Sequence, residues 1–167
     1  MKVHNLHERT IAAPAERVAE LLDSLASEDD RLWPADSWPA MRLDRGLVAG
    51  AVGGHGPIRY VLENREPGRS VRFRFTKPAG FDGYHEFAVE AESQDSSRLR
   101  HVIRMDATGS ALLRWHLVFR PLHDALIEDA LDHAQVWCGA EPERRRWSLW
   151  VRFLRWLMAV GRRHRLR

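Results

Sequence analysis

Four stretches between residues 57 and 107 alternate apolar and charged side chains with a period of two, and this pattern constrains the fold more than any other feature. The clearest is VRFRF, in which Val71, Phe73 and Phe75 alternate with arginines. Because a strand points successive side chains to opposite faces, the pattern predicts strands that are covered on one face only. Short turn-like connections indicate antiparallel hairpins, and we expect strands over residues 57–66, 69–77, 83–92 and 98–107.

A strand and a helix precede the hairpins. Residues 3–13 are predicted to form the first strand, and a helix with apolar residues at helical spacing begins at Pro14. The following segment, 32–41, contains two prolines together with Trp33 and Trp38, which precludes regular structure there. We expect the two tryptophans to anchor this loop over an apolar surface.

Two helices are predicted after the hairpins. The residues from Ser110 onward fit a strand at first, but apolar positions continue at helical spacing as far as Ala134. This continuation favours one long helix over 110–138, bent near Pro121. Gly139 ends it, and a last helix is expected from Pro142 to about residue 163.

Composition narrows the function. The 167 residues suffice for one well-buried core, and their net charge is only +3. A single cysteine excludes an internal disulfide framework and a cysteine-built zinc site. Nine arginines and one glutamate fall within residues 142–167, which indicates a basic terminal element rather than a nucleic-acid-binding domain. The N-terminus lacks the apolar stretch of a signal peptide, and residues 147–160 are too short and too charged to span a bilayer. We therefore predict a cytoplasmic protein.

Three motifs resemble a known superfamily. They are IAAPAERV, where a strand runs into a helix; EPGRSVRFRF, where a turn runs into an arginine-aromatic strand; and RPLHDALIEDALD in the long helix. Over residues 3–138 the chain resembles the helix-grip superfamily of birch-pollen-allergen proteins, START lipid-transfer domains and polyketide cyclases (SRPBCC), and the last two motifs resemble a bacterial branch of it. The resemblance implies an α+β fold in which a curved antiparallel sheet of six or seven strands wraps around a long helix.

The resemblance also implies a cavity between sheet and long helix, and strand parity independently selects its lining. An apolar concavity with a few inward polar groups is typical of a ligand site. The alternative is a core that the same aromatic side chains fill completely. The residues predicted to bind a ligand are Trp33, Trp38, His55 (in the glycine-rich loop at the mouth), Tyr60, Phe73, Phe75, His85, Phe87, His101, Ile103, Met105, Trp115 and Phe119.

The acidic stretch 124–132 in the long helix has two interpretations. Its carboxylates and histidines stand four residues apart, as metal ligands can, but such a row is more often a solvated or ion-paired face. We expect it to pair with Arg144, Arg145 and Arg146, and we predict no metal and no cofactor. His123 and Asp124 are adjacent and point about 100° apart, so they do not make an acid-base pair for one substrate.

Residues 141–167 lie beyond the helix that usually closes this fold, and the helix-grip domain is predicted to occupy 1–140. The last helix is too apolar to lie in water, so it packs on this domain or a second copy, lies on a membrane surface, or binds another partner.

Three functions remain open from the sequence. The first is binding, with or without transport, of a hydrophobic small molecule such as a lipid, a polyketide or an isoprenoid. The second is a polyketide cyclase or dehydratase in which His85, His101 or Tyr60 moves protons. The third is an interaction protein that binds its partner through the last helix. We favour the binding function, because the candidate residues do not form a recognisable acid-base arrangement for catalysis.

Overall fold

A single sheet of seven antiparallel strands forms one layer of the protein. The computed structural model describes residues 1–165, with side chains up to residue 159. The strand order is β1-β7-β6-β5-β4-β3-β2, so β1 and β2 are the edges. The alternating stretches all form strands, and the sheet predicted from them is confirmed. The strands are β1 (Lys2–Ile11), β2 (Arg42–Leu43), β3 (Val52–His55), β4 (Ile58–Glu66), β5 (Ser70–Lys77), β6 (Phe81–Ala91) and β7 (Ser97–Ala107).

Helices form the second layer. The first, α1 (Ala15–Ser24), follows Pro14, and the predicted long helix is present over residues 110–137. It consists of α2 (Ser110–Arg114), a π-helical segment (Trp115–Phe119) and α3 (Arg120–Trp137). The π-helical segment ends two residues before Pro121, where the sequence predicts a bend. The last helix is α4 (Leu149–Arg165). Val160 ends the apolar stretch 147–160 of the sequence, and its side chain lies outside the described part of the structure.

The last helix begins seven residues later than predicted. Residues 138–148 contain no regular structure, and Arg144 has a positive φ of 49°. The segment instead bonds to carboxylates of α3: the Arg144 backbone N–H donates to Asp132 (3.0 Å), and the Trp147 indole N–H donates to Asp129 (3.1 Å). Because these bonds hold residues 144 and 147 against α3, the segment after Pro142 is not helical.

The acidic face of α3 contacts the edge strand β1 more than the arginines after Gly139, so its predicted partners were mostly wrong. The guanidinium of Arg9 lies 2.7 Å from Glu128 and 2.9 Å from Asp132. Of the three predicted arginines, Arg145 reaches Glu128 at 3.5 Å. The reason is parity: Asn5, His7 and Arg9 share the inward face of β1 with the buried Val3 and Ile11. The charged side chains that point inward from this edge strand therefore lie against the carboxylates of α3.

A tryptophan of α4 completes the backbone of the long helix. In an α-helix the Leu117 carbonyl would accept from residue 121, which is a proline and has no N–H. The Trp150 indole N–H donates to this carbonyl instead, at 2.8 Å. The bond ties α4 to the long helix at its irregular turn.

Replacing Trp150 by phenylalanine is therefore expected to lower the free energy of unfolding by about 1 kcal/mol, the usual net value of one hydrogen bond. Urea unfolding measures the change. Trp156 is exposed on the same helix, and Trp156→Phe serves as the control with little expected effect. Equal effects of the two substitutions would contradict the assigned role of the indole N–H.

Candidate functional site

A pocket of about 120 Å³ lies between the sheet and the long helix. Gly56 and Pro57 of the β3–β4 turn are exposed and line it, so the pocket reaches the surface at this turn. Its walls are almost entirely apolar and aromatic. The lining residues are Trp33, Trp38, Pro39, His55, Gly56, Pro57, Ile58, Phe75, Phe81, His85, His101, Ile103, Trp115, Val118, Phe119, Leu122, His123, Leu126, Ile127 and Met158.

The π-helical segment forms one wall. Trp115, Val118 and Phe119 all belong to it and all line the pocket. A π-turn accommodates an extra residue and so shifts the helical register, and such turns are frequent at functional sites. Phe119 packs edge-on against Phe81 of β6, with ring centroids 5.2 Å apart. The irregular turn therefore shapes the helix side of the pocket.

Nine of the thirteen predicted ligand-binding residues line the pocket, and that they contact a ligand stays a prediction. Tyr60, Phe73, Phe87 and Met105 do not line it. Phe73 and Phe87 are fully buried in the main core cluster, and Met105 lies in a second cluster with Val3 and Phe81. Parity assigned these side chains to the correct face, but at their positions along the strands the interior is filled.

His85 and His101 form a neutral pair at the back of the pocket. His85 Nδ1 lies 3.3 Å from His101 Nε2, and the His85 ring stacks on Phe73 and Phe75 with both centroids at 5.1 Å. Burial holds the pKa of both histidines well below the usual value, so the two rings are uncharged near neutral pH. The other nitrogens of the pair, His85 Nε2 and His101 Nδ1, are buried and have no hydrogen-bond partner within the part of the chain that the structure describes.

Two further histidines complete the polar part of the wall. Burial lowers the pKa of His55 to about 3, and its Nδ1 lies 3.3 Å from the Tyr60 hydroxyl. Burial also lowers the pKa of His123, against the opposing effect of Asp124 at 3.6 Å from its Nδ1. Among the residues that the structure describes, neither ring nitrogen of His123 has a hydrogen-bond partner. The His123 ring lies 4.9 Å from that of His101. Unbonded buried polar groups are costly, and they often mark a place where a ligand supplies the missing partner.

Behind His123 the histidines approach a charged cluster. His7 Nδ1 lies 2.8 Å from Glu128 and its Nε2 lies 3.1 Å from Asp124. Burial acts to lower the pKa of His7, but its bonds to the two carboxylates outweigh that effect and raise it. His7, His123 and Asp124 place ligand-type atoms within 4.8 Å of one another, as a metal site would. Because both nitrogens of His7 already bond to carboxylates, an ion-pair network accounts for the cluster.

His123 lines the pocket but was not among the residues predicted to do so. It lies four residues after Phe119 and three before Leu126, so the spacing of the predicted helix already placed it on their face. Pairing it with Asp124 obscured this signal. Asp124 accepts from Asn5 and contacts His7 on the β1 side of the helix, and it also lies 3.6 Å from His123 Nδ1. Met158 of α4 was also missed, because the docking of α4 is not readable from its sequence.

Comparison with solved structures identifies the fold. No protein-family model and no curated protein matches the sequence. A solution structure from Thermobifida fusca superposes with a TM-score of 0.64 at 16% identity, covering 86% of this chain and 98% of its own. CalU16 from Micromonospora echinospora has a TM-score of 0.58 at 15% identity, covering 95% and 84%. Norcoclaurine synthase from Thalictrum flavum, in complex with dopamine and hydroxybenzaldehyde, has a TM-score of 0.61 at 12% identity, covering 87% and 90%.

The structure also bears on the membrane. Among the described residues, no helix is both long and apolar enough to cross a bilayer.

The sheet topology, the long helix and the similar structures agree with the resemblance that the three sequence motifs carry. The chain therefore has the helix-grip fold, an antiparallel sheet packed against a long helix.

Proposed function

We propose that the protein binds a compact hydrophobic molecule that carries a hydroxyl group, with its ring in the pocket and its hydroxyl on the His85–His101 pair. The observation that carries this proposal is an apolar pocket whose four histidines include ring nitrogens with no partner. A pocket with a few polar groups among apolar walls suits a ligand of this kind.

The histidine pair favours a hydroxyl for a chemical reason. Each neutral imidazole has one N–H donor and one lone-pair acceptor. One donor and one acceptor are used in the bond between His85 and His101. Whichever tautomers are present, the pair keeps one free N–H donor and one free acceptor nitrogen. A hydroxyl can bond to either of them, because it both donates and accepts hydrogen bonds.

The volume favours a single ring inside the pocket. A cavity of about 150 Å³ holds benzene, and the pocket here is about 120 Å³. Longer parts of a ligand would extend past Gly56 and Pro57, which form the exposed rim. The norcoclaurine synthase structure, of the same fold, is a complex with dopamine and hydroxybenzaldehyde, which are compact aromatic molecules. This supports phenols as the first ligand class to test.

A titration with p-cresol tests the proposal. Binding is expected to change the fluorescence of the pocket tryptophans Trp33, Trp38 and Trp115. Val118→Trp should fill the pocket from its helix side and weaken binding by at least about tenfold. Val136→Trp is the matched control, because Val136 is exposed elsewhere on the long helix. Toluene, which lacks the hydroxyl, should bind more weakly than p-cresol. Equal binding by both valine variants and the unchanged protein would contradict the pocket as the site.

A second candidate function is proton transfer on the bound molecule, as in a cyclase or dehydratase. The supporting observation is the row of rings from the pocket to the surface: His85, His101, His123 and His7, with neighbouring centroids 4.9–5.8 Å apart. The row ends at the carboxylates of Asp124 and Glu128, which hold the pKa of His7 above its usual value against the effect of burial. A histidine whose pKa lies near the operating pH is an effective general acid or base, and His7 is the ring of this row whose pKa is not lowered. Exchange of ring or α-carbon hydrogens of a bound ligand for deuterium would be measured by NMR. The catalytic function requires that His7→Gln, which interrupts the row outside the pocket, abolish the exchange while binding persists.

A further inference from the structure

The last helix, α4, has two apolar faces, and the domain covers one of them. Val151 and Leu154 are buried against the rest of the protein. On this inner side the Arg155 guanidinium donates to the Ser37 carbonyl and stacks over Trp38 and Trp147. The inner face of the helix is thus fixed to the domain. The side chains of its outer face remain exposed.

The outer face of α4 is an aromatic surface. Trp150, Phe153 and Trp156 stack in a row, with successive centroids 5.5 and 6.1 Å apart. We define the outer face as Leu149, Trp150, Phe153, Trp156 and Leu157, which are 45–79% exposed. Leu117 of the long helix, 50% exposed, lies beside it, because its carbonyl accepts from Trp150. An exposed apolar patch of this extent usually marks an interaction surface.

The charge around the outer face identifies the kind of partner. Residues 144–167 contain nine arginines and no aspartate or glutamate. Arg152 is exposed on α4 itself, and Arg144, Arg145 and Arg146 are exposed just before it. Helices that combine tryptophan and other large apolar residues with arginine lie in the membrane interface, and basic residues there are attracted to anionic lipids.

We propose that the outer face of α4 docks the protein on an anionic lipid surface. The helix lies in the interface with its aromatic row among the acyl chains and its arginines among the headgroups. The pocket adjoins this surface: Val118 and Met158, which line the pocket, directly follow the exposed Leu117 and Leu157. A hydrophobic ligand dissolved in the lipid would therefore meet the protein close to its pocket. The docking itself is independent of what the pocket binds.

Vesicle flotation with the full chain tests the docking. Vesicles of phosphatidylcholine with phosphatidylserine are compared with vesicles of phosphatidylcholine alone, at low and at high salt. We expect the protein to float with the anionic vesicles at low salt and to be released by high salt. The combined substitutions Phe153→Ser and Trp156→Ser should reduce binding by at least about tenfold, because they remove apolar area from the interface. Arg152→Glu should reduce it as well.

A matched control separates docking from general loss of apolar surface. Val136→Ser with Leu6→Ser changes two side chains of comparable exposure away from α4 and should leave flotation unchanged. Circular dichroism checks that each variant is folded. The proposal is overturned if the unchanged protein does not float, if it floats equally well on both vesicle types, or if the outer-face variant floats as well as the unchanged protein. It is also overturned if sedimentation shows a dimer that the outer-face variant dissociates, since a second copy would then cover the face.

Discussion

Replacing Arg9 by methionine is expected to lower the free energy of unfolding by about 3–5 kcal/mol, the usual cost of removing one partner from a buried ion pair. Arg9 is 6% exposed, and its guanidinium contacts Glu128, Asp132 and the Gln135 side chain. Without it, two carboxylates that are about 85% buried lose their main cation. Urea unfolding gives the free energy directly.

Two further variants test the reason for this loss. Arg9→Met combined with Asp132→Asn should be less destabilised than Arg9→Met alone, because one uncompensated charge is then removed. Arg69→Met is the matched control: Arg69 is 77% exposed and lies 3.7 Å from Glu66. Its substitution should cost less than about 0.5 kcal/mol. A similar loss for Arg9 and Arg69 would show that the buried network does not stabilise the fold.

Acid is expected to destabilise the protein between pH 6.5 and pH 5, by roughly 1–2 kcal/mol for each histidine that stays neutral in the fold. Burial depresses the pKa of four histidines in the folded state, whereas unfolded histidines take up protons near pH 6.5. They are His55, His85, His101 and His123. The unfolded state therefore binds more protons in this window, and stability falls as the pH falls. The raised pKa of His7 acts the other way: its stabilisation is fully present below pH 6.5 and is lost as the pH rises through its folded pKa.

Substitution of one histidine should reveal the source of the acid effect. His85→Phe keeps a ring between Phe73 and Phe75 and removes one of these titrating groups, so the loss between pH 6.5 and 5 should shrink by roughly 1–2 kcal/mol. His116→Gln, at an exposed position of the long helix, is the control and should leave the loss unchanged. The measurement is urea unfolding at each pH. A stability that is flat over this window would contradict the buried, neutral state of the pair.

The sheet was predictable because strand parity is a local property. The arginines of VRFRF alternate with Val71, Phe73 and Phe75, and one alternating face must be covered wherever the rest of the chain lies. Helix 110–137 was predictable for the same reason, since its apolar residues recur at helical spacing beyond Pro121.

The pocket was only partly predictable, because its limits depend on where the helix crosses the sheet. Parity places Phe73, Phe75 and Phe87 on one face, but only the packing of other elements decides that Phe75 lines the pocket and that the other two are enclosed. The start of α4 was wrong for a related reason: the bonds of Arg144 and Trp147 to α3 are tertiary. No local pattern encodes them.

Isotope-filtered NMR of the labelled protein with bound p-cresol tests the central claim most directly. If the ligand occupies the space between sheet and long helix, its ring protons will show contacts with the methyl groups of Ile103 on β7 and of Leu126 and Ile127 on α3. The same spectrum should show none with the exposed methyl groups of Leu6 and Val136. A ligand that contacts only exposed methyl groups, or contacts Ile103 without either residue of α3, would contradict the account.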